Sequence, residues 1–174
     1  YTMCESDGSA SDVLMKLIGG PGSVMAFLKE IQVPDIQVIN SEKEIGRDWE
    51  TQYRNWGTPK GALALLVSLQ SQRGLSRESQ ALLLKLMTES IPGANRLKGE
   101  LPVGTVVAHK TGTGSTRNGI TSATNDIGII TLPGGRHLAV AAFVSDSAAN
   151  DETRDAVIAR LAKAAWNSAQ SLGR

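Results

Sequence analysis

The 174 residues are 41% hydrophobic and 20% charged, with a formal net charge of +1. This is material for one ordinary domain with a real core, not for a disordered chain. The near-neutral balance argues against nucleic acid and against an anionic membrane surface as partners, and no apolar run approaches membrane-spanning length.

The chain opens at Tyr1 and runs at once into Cys4-Glu5-Ser6-Asp7-Gly8, with no signal-peptide pattern before it. Cys4 is the only cysteine, so no internal disulfide can form, and its expected role is that of a small buried hydrophobe. Over residues 9–18, Val13, Leu14, Leu17 and Ile18 share one helical face, stopped by Gly19-Gly20. Pro21 suits the first turn of a second helix, with Val24, Phe27, Leu28 and Ile31 at helical spacing before Pro34. Residues 36–39 are a short apolar piece. From 40 to 57 no periodicity survives, and the loop is polar with Trp49, Tyr53 and Trp56 embedded. A loop of this length is usually functional, and its aromatics predict that it is packed down.

Thr58-Pro59 is a helix start, a hydroxyl cap followed by proline. Ala62, Leu65, Leu66 and Leu69 form its buried face, and Gly74 ends it. Ser76 caps the next helix, whose face is Leu82, Leu83, Leu86 and Met87, and Pro92-Gly93 breaks it. Residues 95–102 connect. The character then changes to strands over 105–111, 126–132 and 138–144, the last two joined by the turn Pro133-Gly134-Gly135-Arg136 and therefore antiparallel. Asn150 or Asp151 caps a last helix carrying Val157, Ile158, Leu161, Ala165 and Trp166 on one face. The pattern is α+β: a helical region over 1–102, then three antiparallel strands and a helix over 103–174.

The stretch Ala108-His109-Lys110-Thr111-Gly112-Thr113-Gly114 reads as a strand whose end presents a lysine, hydroxyls and glycine backbone to a ligand. Lys-Thr-Gly alone is a common tripeptide, and its meaning comes from context. Ser6-Asp7-Gly8 lies about a hundred residues upstream, and the acidic stretch Ser41-Glu42-Lys43-Glu44 falls between. In that order and spacing the set resembles a class A serine β-lactamase. Gln52-Tyr53-Arg54-Asn55-Trp56, Arg96-Leu97-Lys98-Gly99, the strand from Val106 to Gly112, and Ala123-Thr124-Asn125-Asp126 resemble the PER-type extended-spectrum subgroup. The resemblance covers nearly the whole chain.

The resemblance implies part of the β-lactamase/transpeptidase-like fold and hydrolysis of β-lactams through a serine acyl-enzyme, with no cofactor and no metal. Ser6 would pass a proton to the β-lactam nitrogen; read alone, it is a helix N-cap. Lys110 would hold Ser6 and supply positive potential for the substrate carboxylate. Thr111 and Thr113 offer hydroxyls, the Thr113 N–H half of an oxyanion hole, and Gly112 a close backbone approach. Gly8 stands where most relatives carry asparagine, and so lacks an amide that contacts substrate.

Glu42 would activate the deacylating water. The common family pattern follows this glutamate with proline and has asparagine four residues after it. Here Lys43 and Gly46 occupy those places, as suits a subgroup with a rearranged loop. Glu44 competes with Glu42, and its alternative is a solvated loop charge. If the segment is extended, both side chains lie on one side, roughly seven ångströms apart. Arg96 matches the family's alternative arginine position for bidentate hold on a carboxylate. Taken alone it is a surface arginine at a helix end, and Arg117 competes for the role. Ser145-Asp146-Ser147 has no later Lys-Thr-Gly to face. His109 and His137 read as structural, and no residue cluster has metal-ligand spacing.

The family takes its nucleophile and a neighbouring lysine from Ser-x-x-Lys, and none of the serines here has lysine three residues on. We therefore expect a fragment or processed half, completed by an N-terminal segment carrying Ser-x-x-Lys. Without it, unpaired strand edges would favour self-association. One rival is a penicillin-binding transpeptidase or carboxypeptidase fragment, which lacks the glutamate loop. Another is an inactive fragment that folds only with its complementary chain. The resemblance further implies a periplasmic or secreted location.

Overall fold

Val107 and Ala108 are adjacent in sequence, yet they bury against different helices, because successive strand side chains point to opposite faces. That alternation organises the computed structural model, which describes residues 1–171. The helical part comprises α1 (Gly8–Leu17), α2 (Pro21–Glu30), a two-stranded ribbon of β1 (Ile36–Gln37) and β2 (Trp56–Gly57), a four-residue α3 (Glu42–Ile45), a 3-10 turn (Thr51–Arg54), α4 (Pro59–Gln70) and α5 (Arg77–Thr88). The sheet comprises β3 (Val107–Thr113), β4 (Thr116–Arg117), β5 (Ile120–Thr131) and β6 (His137–Ser147), and α6 (Asp151–Ser171) follows it. Residues 172–174, the tail of the expected second region, lie outside the described residues.

β5 is central and antiparallel to both neighbours, β3 and β6, in register Lys110↔Ile127 and Ala141↔Ile127. One sheet face carries Val107, Ile130, Val140 and Ala142 against Ile158, Ala162 and Trp166 of α6. The other carries Ala108 and Ile129 against Leu66 and Leu69 of α4 and Met87 of α5. A third cluster joins Leu28, Ile31 and Val33 to Ala64 and Leu65 of α4. The three predicted caps hold: Gly61 N donates to Thr58 Oγ1, Ser79 N donates to Ser76 Oγ, and Thr153 N donates to Asn150 Oδ1, so Asn150 and not Asp151 caps α6.

Several expectations change. The sheet has a fourth, two-residue strand, β4, joined to β5 through Asn118-Gly119, both at positive φ as a two-residue hairpin of this twist requires. The central strand starts at Ile120, not near 126. Its first half, Thr121 to Asn125, is polar and so carries no apolar alternation, but Thr121, Ser122 and Thr124 are buried between neighbours. Residues 40–57 are not wholly irregular. Tyr53 and Trp56 are only partly covered.

Leu82 is exposed, and Leu84 joins Leu83 and Met87 in the core instead. On α6 the buried stripe is Arg154, Ile158, Ala159, Ala162 and Trp166, while Val157 and Leu161 stay about half exposed. On α1, Val13, Leu14, Leu17 and Ile18 share a face as expected, but each is more than half exposed. On α1 the helical spacing is right and the face is largely uncovered; on α6 the expected face splits, with Ile158 and Trp166 in the core and Val157 and Leu161 on the open side.

Candidate active site

Ser6 adopts φ 58°, a left-handed conformation that non-glycine residues rarely hold. The N-cap of α1 is its neighbour Asp7, whose Oδ1 accepts from Ala10 N at 2.7 Å. Ser6 therefore does no capping. Its hydroxyl instead meets Lys110, whose Nζ donates to Ser6 Oγ at 2.6 Å and to Thr111 O at 2.8 Å. Burial lowers the Lys110 pKa from the usual lysine range; Asp126 and Glu42 oppose that shift, and Arg96 adds to it.

Glu42 and Glu44 sit in α3, whose start is a capping box. Glu44 N donates to Ser41 Oγ at 3.3 Å, and Ser41 N donates to Glu44 Oε2 at 2.8 Å. Glu44 is thus folded back on the helix start, and these hydrogen bonds from Ser41 hold its carboxyl below the usual carboxylate range. The extended geometry expected for this segment is replaced by a helical turn, which separates the two glutamates by about 200° around the axis. Asp12 of α1 fixes this turn from the other side, accepting from Glu42 N at 2.7 Å and Lys43 N at 2.9 Å. A side chain at Gly8 would place its Cβ 3.3 Å from Glu42 Cβ. The absence of one lets Glu42 lie against the start of α1, so Gly8, Asp12 and Glu42 line one cleft.

The neck of the loop is closed by Asn55. Its Oδ1 accepts from Ile39 N and Asn40 N at 2.8 and 2.9 Å, and its Nδ2 donates to Asn40 O at 2.8 Å.

Strand alternation puts Lys110 on one face of β3 and His109, Thr111 and Thr113 on the other. Thr111 is buried, while Gly112 and Thr113 are exposed at the strand end. Arg96 is buried, not a surface arginine. Its Nε donates to Asp155 Oδ1 at 2.8 Å, Nη1 to Asn125 O at 2.9 Å and Gly112 O at 3.3 Å, and Nη2 to Thr113 Oγ1 at 2.8 Å. Its fork is already occupied, and it reaches the strand end through Thr113. Arg117 is exposed on β4. Behind the strand, His109 Nδ1 lies 2.9 and 3.0 Å from the two Asp126 carboxylate oxygens, both residues being fully buried, and Asp126 Oδ2 accepts from Leu97 N at 3.2 Å.

Ser6, Gly8, Glu42 and Lys110 are thus brought together, with Thr111, Gly112 and Thr113 along the same strand as Lys110. Asp12, Asn55 and Asp155 were not singled out from sequence. Asp12 and Asp155 look like ordinary solvated helix acids, and Asn55 was visible only inside the Gln52–Trp56 resemblance. Among the described residues no group of three His, Cys, Asp or Glu side chains converges as a metal site would.

A family model described as "Beta-lactamase enzyme family" matches residues 1–169. Beta-lactamase VEB-1 of Pseudomonas aeruginosa is 44% identical over 169 residues, covering 96% of this chain and 56% of the relative. Extended-spectrum beta-lactamase PER-1 of the same species is 45% identical over 166 residues, covering 95% and 54%. The chain spans about half the length of these curated relatives. Among solved structures, TLA-3 extended-spectrum beta-lactamase superposes with a TM-score of 0.92 at 44% identity, over 94% of this chain and 60% of that one. A class A beta-lactamase from Bacteroides cellulosilyticus gives 0.91 at 31% identity, over 95% and 60%.

Proposed function

Since this chain belongs to the beta-lactamase enzyme family, and within it to class A beside the extended-spectrum PER-like enzymes, we propose that it supplies the Ser-Asp-Gly, loop-glutamate and Lys-Thr-Gly parts of a β-lactam-hydrolysing site. The observation that carries this reading is the 2.6 Å contact from Lys110 Nζ to Ser6 Oγ, made across 104 residues of sequence next to a cleft that holds Glu42. The nucleophile comes from a complementary N-terminal segment carrying Ser-x-x-Lys. The open apolar faces of α1 and α6 are where such a segment would find cover.

In the completed site the serine attacks the lactam carbonyl, and Ser6 passes a proton to the departing nitrogen. The Thr113 N–H donates to the oxyanion, and Lys110 supplies positive potential for the substrate carboxylate. Glu42 then takes a proton from water as that water attacks the ester. Gly112 leaves room for substrate to lie along the strand. Arg96 acts through Thr113, whose hydroxyl it holds, instead of gripping the carboxylate itself. As part of the same reading, the complete protein works in the periplasm or outside the cell, without cofactor or metal.

The test joins this chain to a Ser-x-x-Lys segment from a PER-like relative, as one polypeptide or as two co-expressed chains, and adds a β-lactam. Mass spectrometry is expected to find a transient adduct on the upstream serine and a ring-opened product. A folded complex that forms neither would refute the reading.

Lys110 sets a pH limit. Binding of a carboxylate-bearing β-lactam needs its ammonium, so kcat/KM falls as pH rises through its folded pKa. Burial places that pKa below the 10.5 of an ordinary lysine, so the alkaline limb is expected below 10.5. Lys110→Arg, which stays charged, should move the limb upward. A limb at or above 10.5 in the parent would count against Lys110 as the titrating group.

A further inference from the structure

The loop that carries Glu42 is fixed near its neck by Asn55 and near Glu42 by Asp12. Its far side is fastened separately, to the sheet. Gln52 Oε1 accepts from Ser122 Oγ at 2.5 Å, Ser115 Oγ at 3.2 Å and Ser115 N at 3.4 Å, while its Nε2 donates to Trp49 O at 2.9 Å. Next to it, Tyr53 OH donates to Asp146 Oδ1 at 2.6 Å, at the end of β6. These are the side-chain hydrogen bonds by which residues 40–57 reach the four-stranded sheet, among the described residues. Neither side chain touches Ser6, Lys110 or Glu42 through any hydrogen bond.

The chemistry of each tie is particular. One end group must accept from a serine pair and donate to a carbonyl at once, which an amide does. Ser115 and Ser122 flank the turn after β3, so the tie lands next to the strand that carries Lys110 and Thr113. A Cβ on Gly114 would lie 2.0 Å from Ser122 Oγ and 3.2 Å from Gln52 Oε1. The second glycine of Lys-Thr-Gly-Thr-Gly is thus the place where this tie passes the backbone. At the other tie, the hydrogen bond to Asp146 pushes the Tyr53 phenol up to about 12. Trp49 packs edge-on against the Tyr53 ring, centroids 5.9 Å apart, which steadies it. Asp146 holds a left-handed φ of 47°, a non-glycine conformation kept only where its surroundings fix it.

We propose that Gln52 and Tyr53 are positioning residues that moor the Glu42 loop to the sheet, and that they act on hydrolysis of the acyl-enzyme and not on its formation. This rests on the reading of the site given above. On that reading the groups assigned to move protons in acylation are the upstream Ser-x-x-Lys and Ser6, none of which sits on this loop. In the second step a bond forms between water oxygen and the acyl carbon, and the bond from that carbon to the serine oxygen breaks. The water proton goes to Glu42 and then to the departing serine oxygen. Only this step needs Glu42 at a fixed distance from the carbonyl, and misplacement by about an ångström costs heavily.

The test uses the complete protein and a chromogenic β-lactam, with acylation and deacylation separated by stopped flow and the adduct followed by mass spectrometry. Gln52→Leu removes the acceptor, and Tyr53→Phe removes only an exposed hydroxyl and leaves packing intact. Each is expected to slow deacylation on the order of tenfold, to leave acylation unchanged, and to make the acyl-enzyme accumulate. Gln52→Glu keeps the acceptor oxygen toward Ser122 but loses the donor to Trp49 O, and is expected to recover part of the rate. Equal slowing of both steps, no slowing in either variant, or a Gln52→Glu as slow as Gln52→Leu would overturn the inference while the parent's turnover leaves the site reading standing. A folded parent that never acylates would instead remove the site reading, and this inference with it.

Discussion

Glu42→Gln in the complete protein is expected to react with a β-lactam and then stall, with a long-lived covalent adduct on the upstream serine. The substitution keeps the shape of the side chain, its place at the first turn of α3 and the backbone hydrogen bonds to Asp12. It removes the base alone, and a positioned general base is worth about 10²–10⁴ in rate. Glu44→Gln is expected to turn over nearly as the parent does. Its carboxylate is engaged with Ser41 at the start of α3 and points about 200° away from Glu42 around that turn. Removing it weakens a cap, an effect on helix stability and not on the chemical step. Intact-mass kinetics on the two variants decide the matter. A stalled Glu44→Gln beside a normal Glu42→Gln would reverse the assignment, and normal turnover by both would mean that the loop supplies no base.

Arg96→Ala is expected to cost stability first and activity second. Arg96 and Asp155 form a 2.8 Å ion pair, with side chains 10% and 20% exposed. Removing one partner of such a pair leaves a carboxylate without its cation in a low-dielectric site, a loss of about 3–5 kcal/mol. Three further hydrogen bonds, to Gly112 O, Asn125 O and Thr113 Oγ1, disappear with the guanidinium. Arg96→Lys keeps the charge but cannot reproduce this fork, and should fall between the parent and the alanine variant. Arg117→Ala, on an exposed two-residue strand, should unfold with the parent. Denaturant unfolding of the three variants provides the measurement. An Arg96→Ala midpoint equal to that of the parent, with a selective loss of affinity for carboxylate-bearing β-lactams, would return Arg96 to direct substrate contact.

Secondary elements with local signals are legible in residue order alone. Thr58-Pro59 and Ser76 mark helix starts because capping is settled within one turn. Pro133-Gly134-Gly135-Arg136 forces a tight antiparallel return because positive φ is needed at Gly134 and Gly135. Motif order was enough to suggest the family, since Ser6, Glu42 and Lys110 keep their spacing whatever the fold does with them. Tertiary structure decided everything that depends on what lies across a contact. Apolar spacing on α1 and α6 fixes which residues share a face, but only the neighbours determine whether that face is covered. That is why Val13, Leu17, Val157 and Leu161 are exposed while Ile158 is buried. The polar first half of β5 has no alternation to read, and it is a strand because β4, the end of β3 and β6 satisfy its backbone on both sides. The same holds for charge. Arg96 and Arg117 look alike in sequence, and only burial beside Asp155 makes one a strut and leaves the other in solvent. Glu42 and Glu44 differ for the same reason: hydrogen-bond partners, Asp12 for one turn of backbone and Ser41 for one carboxylate, are supplied by the fold and not by the residue type.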